Sequence, residues 1–277
     1  MNFKKHLILL LFLPAFLSAQ HSEIGLMVGG SLYRGDLTQS GSFASFRETH
    51  VALGGFYRYN MNGYIAIKLG VNHGSISGYD SKSNDQIQQN RNLSFKSTVT
   101  EVALTGEFNI LGFQPYGLYR PFSPYVFGGI AAFKYNPKTK LDGDWVALQK
   151  LGTEGVDYKL FQFGIPLGLG AKYALNDTWN IGLEAGARLT FTDYLDDVSS
   201  AFLDENTLLQ NGGELAVALG NRSTGDDAFQ IGDAGGNPDK KDMYFMVGLT
   251  ISYNFLDNGL VGFRNRFRGS RNGCRTK

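Results

Sequence analysis

The segment Met243-Tyr244-Phe245-Met246-Val247-Gly248-Leu249-Thr250-Ile251-Ser252-Tyr253-Asn254-Phe255 alternates in character without a break. Successive side chains of an extended chain point to opposite faces. Met243, Phe245, Val247, Leu249, Ile251, Tyr253 and Phe255 therefore share one face, and Tyr244, Met246, Gly248, Thr250, Ser252 and Asn254 share the other. The stretch is about twice the usual strand length of ~5–6 residues. The segment 178–192 repeats the pattern, with Trp179, Ile181, Leu183, Ala185, Ala187, Leu189 and Phe191 set against Asn180, Gly182, Glu184, Gly186, Arg188 and Thr190.

Working back along the chain, the same period recurs at residues 23–34, 49–60, 63–75, 97–110, 122–134 and 159–174, which with 178–192 and 242–255 predicts eight strands. The links between them alternate in length. Residues 35–48, 76–96, 135–158 and 193–241 are long and polar, whereas Asn60 to Asn62, Leu111 to Pro121 and Leu175 to Asp177 are short. Transmembrane barrels have this rhythm, with short periplasmic turns and long outer loops, and an even strand number places both termini in the periplasm.

Composition agrees. The 277 residues include 36 Gly and only 7 Pro, with 13% aromatics, a poor mixture for helices, where each internal Gly costs ~1 kcal/mol relative to Ala. The formal net charge of +1 gives no field for a nucleic-acid partner. Cys274 is the sole cysteine, so a disulfide framework is excluded. The mean hydropathy of −0.17 does not exclude a membrane barrel, because only alternate strand residues meet lipid. Lys4 and Lys5 followed by the apolar run Leu7 to Leu17 and by Ser18-Ala19 have the form of a cleavable signal peptide. The predicted division is a signal peptide over 1–19, a barrel over 20–255 and a basic periplasmic tail over 256–277. The tail sets Arg264, Arg266, Arg268, Arg271, Arg275 and Lys277 against Asp257, and is either a partner-docking arm or a frayed end.

Alternation alone fits a soluble barrel as well as a membrane barrel, and three patterns choose between them. Charges gather on one face of the segments: Glu23, Arg58, Lys68, Glu101, Glu107, Lys134, Lys172, Glu184 and Arg188. A charge facing lipid at mid-bilayer costs ~2–4 kcal/mol. The same face is rich in small residues such as Gly25, Gly29, Gly54, Gly70, Gly128, Gly168, Gly170 and Gly186, as expected where side chains converge inside a barrel of eight strands. Aromatics of the apolar face fall at strand ends, with Tyr57, Tyr59, Phe108, Tyr125, Phe127, Tyr173, Trp179, Tyr253 and Phe255 at one level and Phe133, Phe161, Phe163, Phe191 and Phe245 at the other, as in headgroup belts. The predicted fold is an all-β, eight-stranded antiparallel transmembrane outer-membrane β-barrel with a filled lumen, in contact with the lipid bilayer and lipopolysaccharide.

Two constellations bear on chemistry. His73-Gly74-Ser75, with Glu48 and His50 near the same rim, is a minimal base–nucleophile pair for a lipid-modifying enzyme. Asp193, Asp196 and Asp197, in the run Thr192 to Ser199, offer carboxylates of the kind Ca²⁺ takes, or a paired and solvated cluster. No P-loop, H-E-x-x-H or dinucleotide fingerprint is present. No catalytic, cofactor-binding or metal residue is assigned, and no cofactor is expected.

Several stretches together resemble a known family: Ser31 to Leu37, Phe122 to Gly129, Tyr135-Asn136-Pro137-Lys138, Gly152-Thr153-Glu154-Gly155, Ile165 to Gly168, and above all Thr192-Asp193-Tyr194-Leu195-Asp196-Asp197-Val198-Ser199. In this order they are similar to the PorG-type outer-membrane barrels of the Bacteroidetes type IX secretion system. Val156 stands where that pattern has Gln. The resemblance implies a non-enzymatic envelope component that contacts periplasmic ring lipoproteins of the PorK–PorN type and helps anchor them. The alternatives are a lipid-modifying enzyme using His73 and Ser75, and a surface adhesin or ligand-binding barrel using the long loops.

Overall fold

The computed structural model describes residues 22–38, 46–115, 118–223 and 228–255, so the predicted signal peptide and basic tail lie outside the described residues. Its strands are β1 (Ser22–Arg34), β2 (His50–Asn60), β3 (Ile65–Tyr79), β4 (Ser94–Asn109), β5 (Phe122–Leu141), β6 (Asp144–Ala147), β7 (Phe161–Ala174), β8 (Trp179–Thr190) and β9 (Met243–Asn254). Neighbours pair antiparallel in the order β1-β2-β3-β4-β5-β7-β8-β9. The ring closes where β9 returns to β1, from Glu23 opposite Asn254 to Arg34 opposite Met243. Strand β6 pairs only with the far end of β5. The result is a closed, eight-stranded antiparallel β-barrel.

Local chemistry sets the tight ends. The Asn62 side chain accepts from the backbone N–H groups of Tyr64 (2.8 Å) and Ile65 (2.9 Å), turning β2 into β3. Asn176 does the same for Thr178 (2.9 Å) and Trp179 (2.8 Å) between β7 and β8. Asn is suited to such turns because its carboxamide reaches its own backbone two residues on.

The opposite end departs from the expected loops. β3 continues to Tyr79, β4 begins at Ser94 and β5 runs on to Leu141, so parts of 76–96 and 135–158 are strand rather than loop. Above the ring the remaining segments form a cap that includes α1 (Gln86–Arg91) and α2 (Glu205–Gly220). α2 starts at Asp204, whose side chain accepts from the Thr207 backbone N–H, and its chain is kinked at Gly213, which has φ 68°. A buried cluster that includes Tyr33, Leu37, Phe95, Tyr135, Leu151, Tyr158, Leu195, Leu208 and Leu219 ties the cap to the barrel mouth.

The wall has the polarity of a membrane barrel. Ile130 (67%), Leu169 (64%) and Leu249 (68%) are among many large apolar side chains exposed on the outside, whereas Glu23, Arg58, Glu101 and Glu107 are buried inside. On β5 the outward side chains from Phe122 to Ala132 cover ten residue steps. At ~3.4 Å per residue and a tilt of about 40°, that is roughly 26 Å, close to the ~25 Å apolar band of such barrels.

One strand runs in the opposite phase to the sequence reading. On β5, Tyr125, Phe127 and Phe133 point inward and are buried, while Lys134 faces outward and is exposed. Both faces of this strand are apolar, and a slip of one residue exchanges them. The lumen needs these rings. The Lys172 ammonium lies 4.8 Å from the Tyr125 ring centre, and the Lys68 ammonium 5.1 Å from that of Phe127. The small residues opposite make room for them: a Cβ on Gly170 would lie 2.5 Å from Tyr125 Cζ, and one on Gly168 the same distance from Phe127 Cζ.

Candidate functional site: the sealed lumen and its cap

The other eight charged residues assigned to the inner face all lie in the lumen: Glu23, Glu101, Glu107 and Glu184 with Arg58, Lys68, Lys172 and Arg188, so that the formal charges cancel. Near the short-turn end, Arg58 Nη1 lies 2.8 Å from Glu23 Oε2 and its Nε 2.9 Å from Glu107 Oε2. Lys172 donates to Glu107 Oε2 at 3.0 Å, and Lys68 pairs with Glu184. Asn60 and Ser252 donate to the two oxygens of Glu23, at 2.6 and 3.0 Å. Higher up, Arg188 holds Glu101, which also accepts from Tyr244 Oη (2.6 Å) and Asn72 Nδ2 (2.9 Å). Between the two networks, bounded by Met27, Phe56, Asn72, Phe127 and Arg188, remains a cavity of about 20 Å³, space for about one water. Each buried charge thus has an opposite partner, as the cost of an unpaired one requires. Side chains and their paired charges fill the lumen between the two networks.

The cap is built around carboxylates. The Tyr33 hydroxyl, at the mouth, lies 2.5 Å from Asp196 Oδ2 and 3.0 Å from Asp242 Oδ1. A phenol carries one proton, so it donates to one carboxylate, and the second contact calls for a proton on the other carboxyl, which then donates to the phenol oxygen. Burial, with the charge of Asp242 acting on Asp196 and that of Asp193 acting on Asp242, pushes both Asp196 and Asp242 well above the usual carboxylate range. The backbone N–H groups of Val198 and Leu195 donate to Asp196 and Asp242 at 3.0 and 2.9 Å. Asp197 accepts from Thr153 Oγ1 (2.5 Å) and from the Tyr158 hydroxyl, and burial raises it to about 7. Asp193 accepts from Ser199 Oγ (2.7 Å), and burial raises it to about 6. Glu154 accepts from the backbone N–H groups of Ser199 and Ser200. Arg91 binds both oxygens of Asp80 and donates to the Asp36 carbonyl at 2.9 Å.

Asp193, Asp196 and Asp197 therefore face different partners instead of converging on one point. Among the described residues no group of three or more His, Cys, Asp or Glu side chains is disposed to hold a metal ion. The structure does bring together several stretches that the sequence singled out separately: Tyr33, Thr153, Glu154 and the run Thr192 to Ser199 interlock in one hydrogen-bonded core. Asp242 and Tyr158 complete it without having been singled out. Asp242 opens the last predicted segment, 242–255, directly after the longest loop, and that proximity is the one available signal.

His73 and Ser75 form no such unit. His73 is exposed and its Nδ1 lies 2.8 Å from Thr100 Oγ1, while the Ser75 carbonyl accepts from Ser31 Oγ at 2.6 Å. A different pair meets at the rim: His50 Nε2 lies 2.8 Å from Ser77 Oγ, which donates to Glu48 Oε2 at 3.2 Å, and Lys82 holds the other oxygen of Glu48. With its one proton directed to Glu48, Ser77 receives a hydrogen bond from His50, the reverse of base activation. Ser77 is also fully buried. A spacing of 27 residues gave the sequence no hint of this contact.

A family model described as a domain of unknown function (DUF6089) matches residues 3–214. No curated protein matches the sequence. Among solved structures the chain is similar to the N-terminal β-barrel domain of Pseudomonas aeruginosa OprF, at 12% identity over 85% of this chain and 98% of that one, with a TM-score of 0.37. It is also similar to Neisserial surface protein A (6%, 84% and 97%, 0.44), and to a major outer membrane protein from Thermus thermophilus (13%, 84% and 98%, 0.38).

Proposed function

The chain belongs to the DUF6089 family, and from that premise and its outer-membrane barrel fold we propose that it is a non-enzymatic outer-membrane component that anchors or organises the periplasmic ring of a type IX protein secretion system. In this reading both termini are periplasmic and the cap faces outward. The observation that carries it is the closed lumen. Cancelled, paired charges below and an ordered cap above leave no conduit, so the work of the barrel falls to its surfaces. At the short-turn end the β4–β5 link offers one. Tyr119 is 74% exposed, Leu118 is exposed beside it, and the Arg120 guanidinium lies over the Tyr64 and Tyr119 rings while donating to Tyr64 Oη at 2.8 Å. Exposed aromatic and arginine side chains are the types that carry binding energy at protein interfaces.

The test is purification of the full chain from detergent-solubilised membranes, with mass spectrometry of the proteins that accompany it. Ring lipoproteins of the PorK–PorN type are expected, with loss of them in a Leu118→Ser, Tyr119→Ser variant. Recovery of lipopolysaccharide and assembly factors alone would remove the anchoring role.

A further inference from the structure

The outer wall of the barrel is not uniform around its circumference at the cap end. Following the register across β3, β4 and β5, the outward rows read Val71–Val102–Ala132, then His73–Thr100–Lys134, then Ser75–Thr98–Asn136, then Ser77–Lys96–Lys138. The wall thus changes from apolar to cationic over two residues per strand. Lys96 and Lys138 are directly opposite each other, an arrangement of like charges that destabilises a sheet unless something neutralises it. Lys140 continues the row over Trp145 of β6, 5.3 Å from its ring. Lys96, Lys134 and Lys138 have no ion-pair partner among the described residues, and no outward position of β3, β4, β5 or β7 carries a carboxylate. Phe161 and Phe163 flank Lys134 and Ala132 on β7 and are exposed. The next sector at that height presents Leu189 of β8 and Phe191 just beyond it instead.

We propose that the Lys96–Lys134–Lys138 sector is a binding site for the phosphorylated headgroup of an outer-leaflet glycolipid, whose acyl chains lie against the apolar rows below. The site rests on the reading above only in taking the cap end as the outward one. Four features select this occupant. The lysines start where the apolar band ends, so their ammonium groups reach the headgroup level while their stems lie on the wall. Lys96 and Lys138 face each other, and none of the three lysines makes an ion pair among the described residues (Glu48, on Ser77 in the same row, is held by Lys82), which suits a multiply charged anion. Lys134 stands four residues from Lys138, roughly 13 Å along the strand at ~3.3 Å per residue, which provides two reading points and fits a headgroup with two phosphates. The aromatic side chains beside them anchor the same level.

The full chain, reconstituted in phosphatidylcholine nanodiscs containing a few per cent of bis-phosphorylated lipid A, is assayed for retained lipid by native mass spectrometry. Wild type should retain the bis-phosphorylated lipid over its dephosphorylated form by roughly tenfold, and Lys96→Gln, Lys134→Gln, Lys138→Gln together should abolish that preference. Lys96→Arg, Lys134→Arg, Lys138→Arg together should keep it. Equal retention in the Gln variant, or displacement of the lipid by 1 mM inorganic phosphate, would overturn the proposal. Heat-shifted gel mobility confirms that each variant is folded. Orientation is read separately by labelling Asp144→Cys, in a Cys274→Ser background, with a membrane-impermeant maleimide on intact cells. Absence of labelling there would overturn the leaflet assignment, while the nanodisc assay still reads the lysines.

Discussion

Arg188 on β8 and Glu101 on β4 meet across the lumen, with Nε to Oε2 at 3.0 Å and Nη2 to Oε1 at 3.1 Å, two parallel hydrogen bonds between residues 87 apart in sequence. Both side chains are buried. Removing one partner of such a pair leaves an uncompensated charge, and Arg188→Ala is expected to destabilise the barrel by about 3–5 kcal/mol. The double variant Arg188→Met, Glu101→Met should recover most of the loss. Urea midpoints of folding into liposomes measure both. A single variant within about 0.5 kcal/mol of wild type would mean that the pair is not desolvated as described.

Tyr33 holds Asp196 and Asp242 together at the mouth. Tyr33→Phe keeps the ring and deletes the shared hydroxyl, so two buried carboxyls lose a partner at a cost of about 1–3 kcal/mol. The cap should open more readily than the wall. Limited proteolysis should cut between residues 193 and 242 faster in the variant while the barrel remains folded.

The cap should also respond to pH with a defined sign. Asp193 and Asp197 are raised to about 6 and about 7 by burial, and Asp196 and Asp242 are likewise raised well above the ordinary range. A carboxyl that holds its proton more tightly folded than unfolded stabilises the folded form fully below the ordinary aspartate range, and that stabilisation is lost as pH rises through the folded value. Hydrogen-exchange protection of cap amides, corrected for intrinsic rates, should therefore fall between pH 5 and pH 8. Flat or rising protection would contradict the assignment of protons to this cluster.

Gly170 faces the Tyr125 ring, and a Cβ there would lie 2.5 to 2.7 Å from its outer atoms. Gly170→Ala should cost about 1–3 kcal/mol by overpacking. Combined with Tyr125→Leu, which removes the obstructing ring end, the two costs should fall short of their sum by at least 0.5 kcal/mol. Strict additivity in a thermodynamic cycle would show that the contact is absent.

Most of the wall was legible before the structure. Seven of the eight barrel strands keep their inward and outward faces as read from alternation, because one face of each carries large apolar side chains and the other charged, polar or small ones. On β5 alternation sets Lys134 on the lumen face, whereas it points outward beyond the apolar row that ends at Ala132, where a charge carries no mid-bilayer penalty. The Thr192 to Ser199 run drew attention as a possible ion site. Its carboxyls instead accept from Tyr33, Thr153, Tyr158 and Ser199, three of them outside the run.

The sequence by itself determined the strand number, the hairpin order and the polarity of the wall, since each follows from period-2 patterning and turn chemistry acting within ten or fifteen residues. Only the tertiary structure decided which cation meets which glutamate, which carboxyls meet at Tyr33, and that three lysines on two strands form one sector. Those relationships join residues tens to hundreds of positions apart, and they arise from barrel closure and cross-strand register, which local periodicity does not encode.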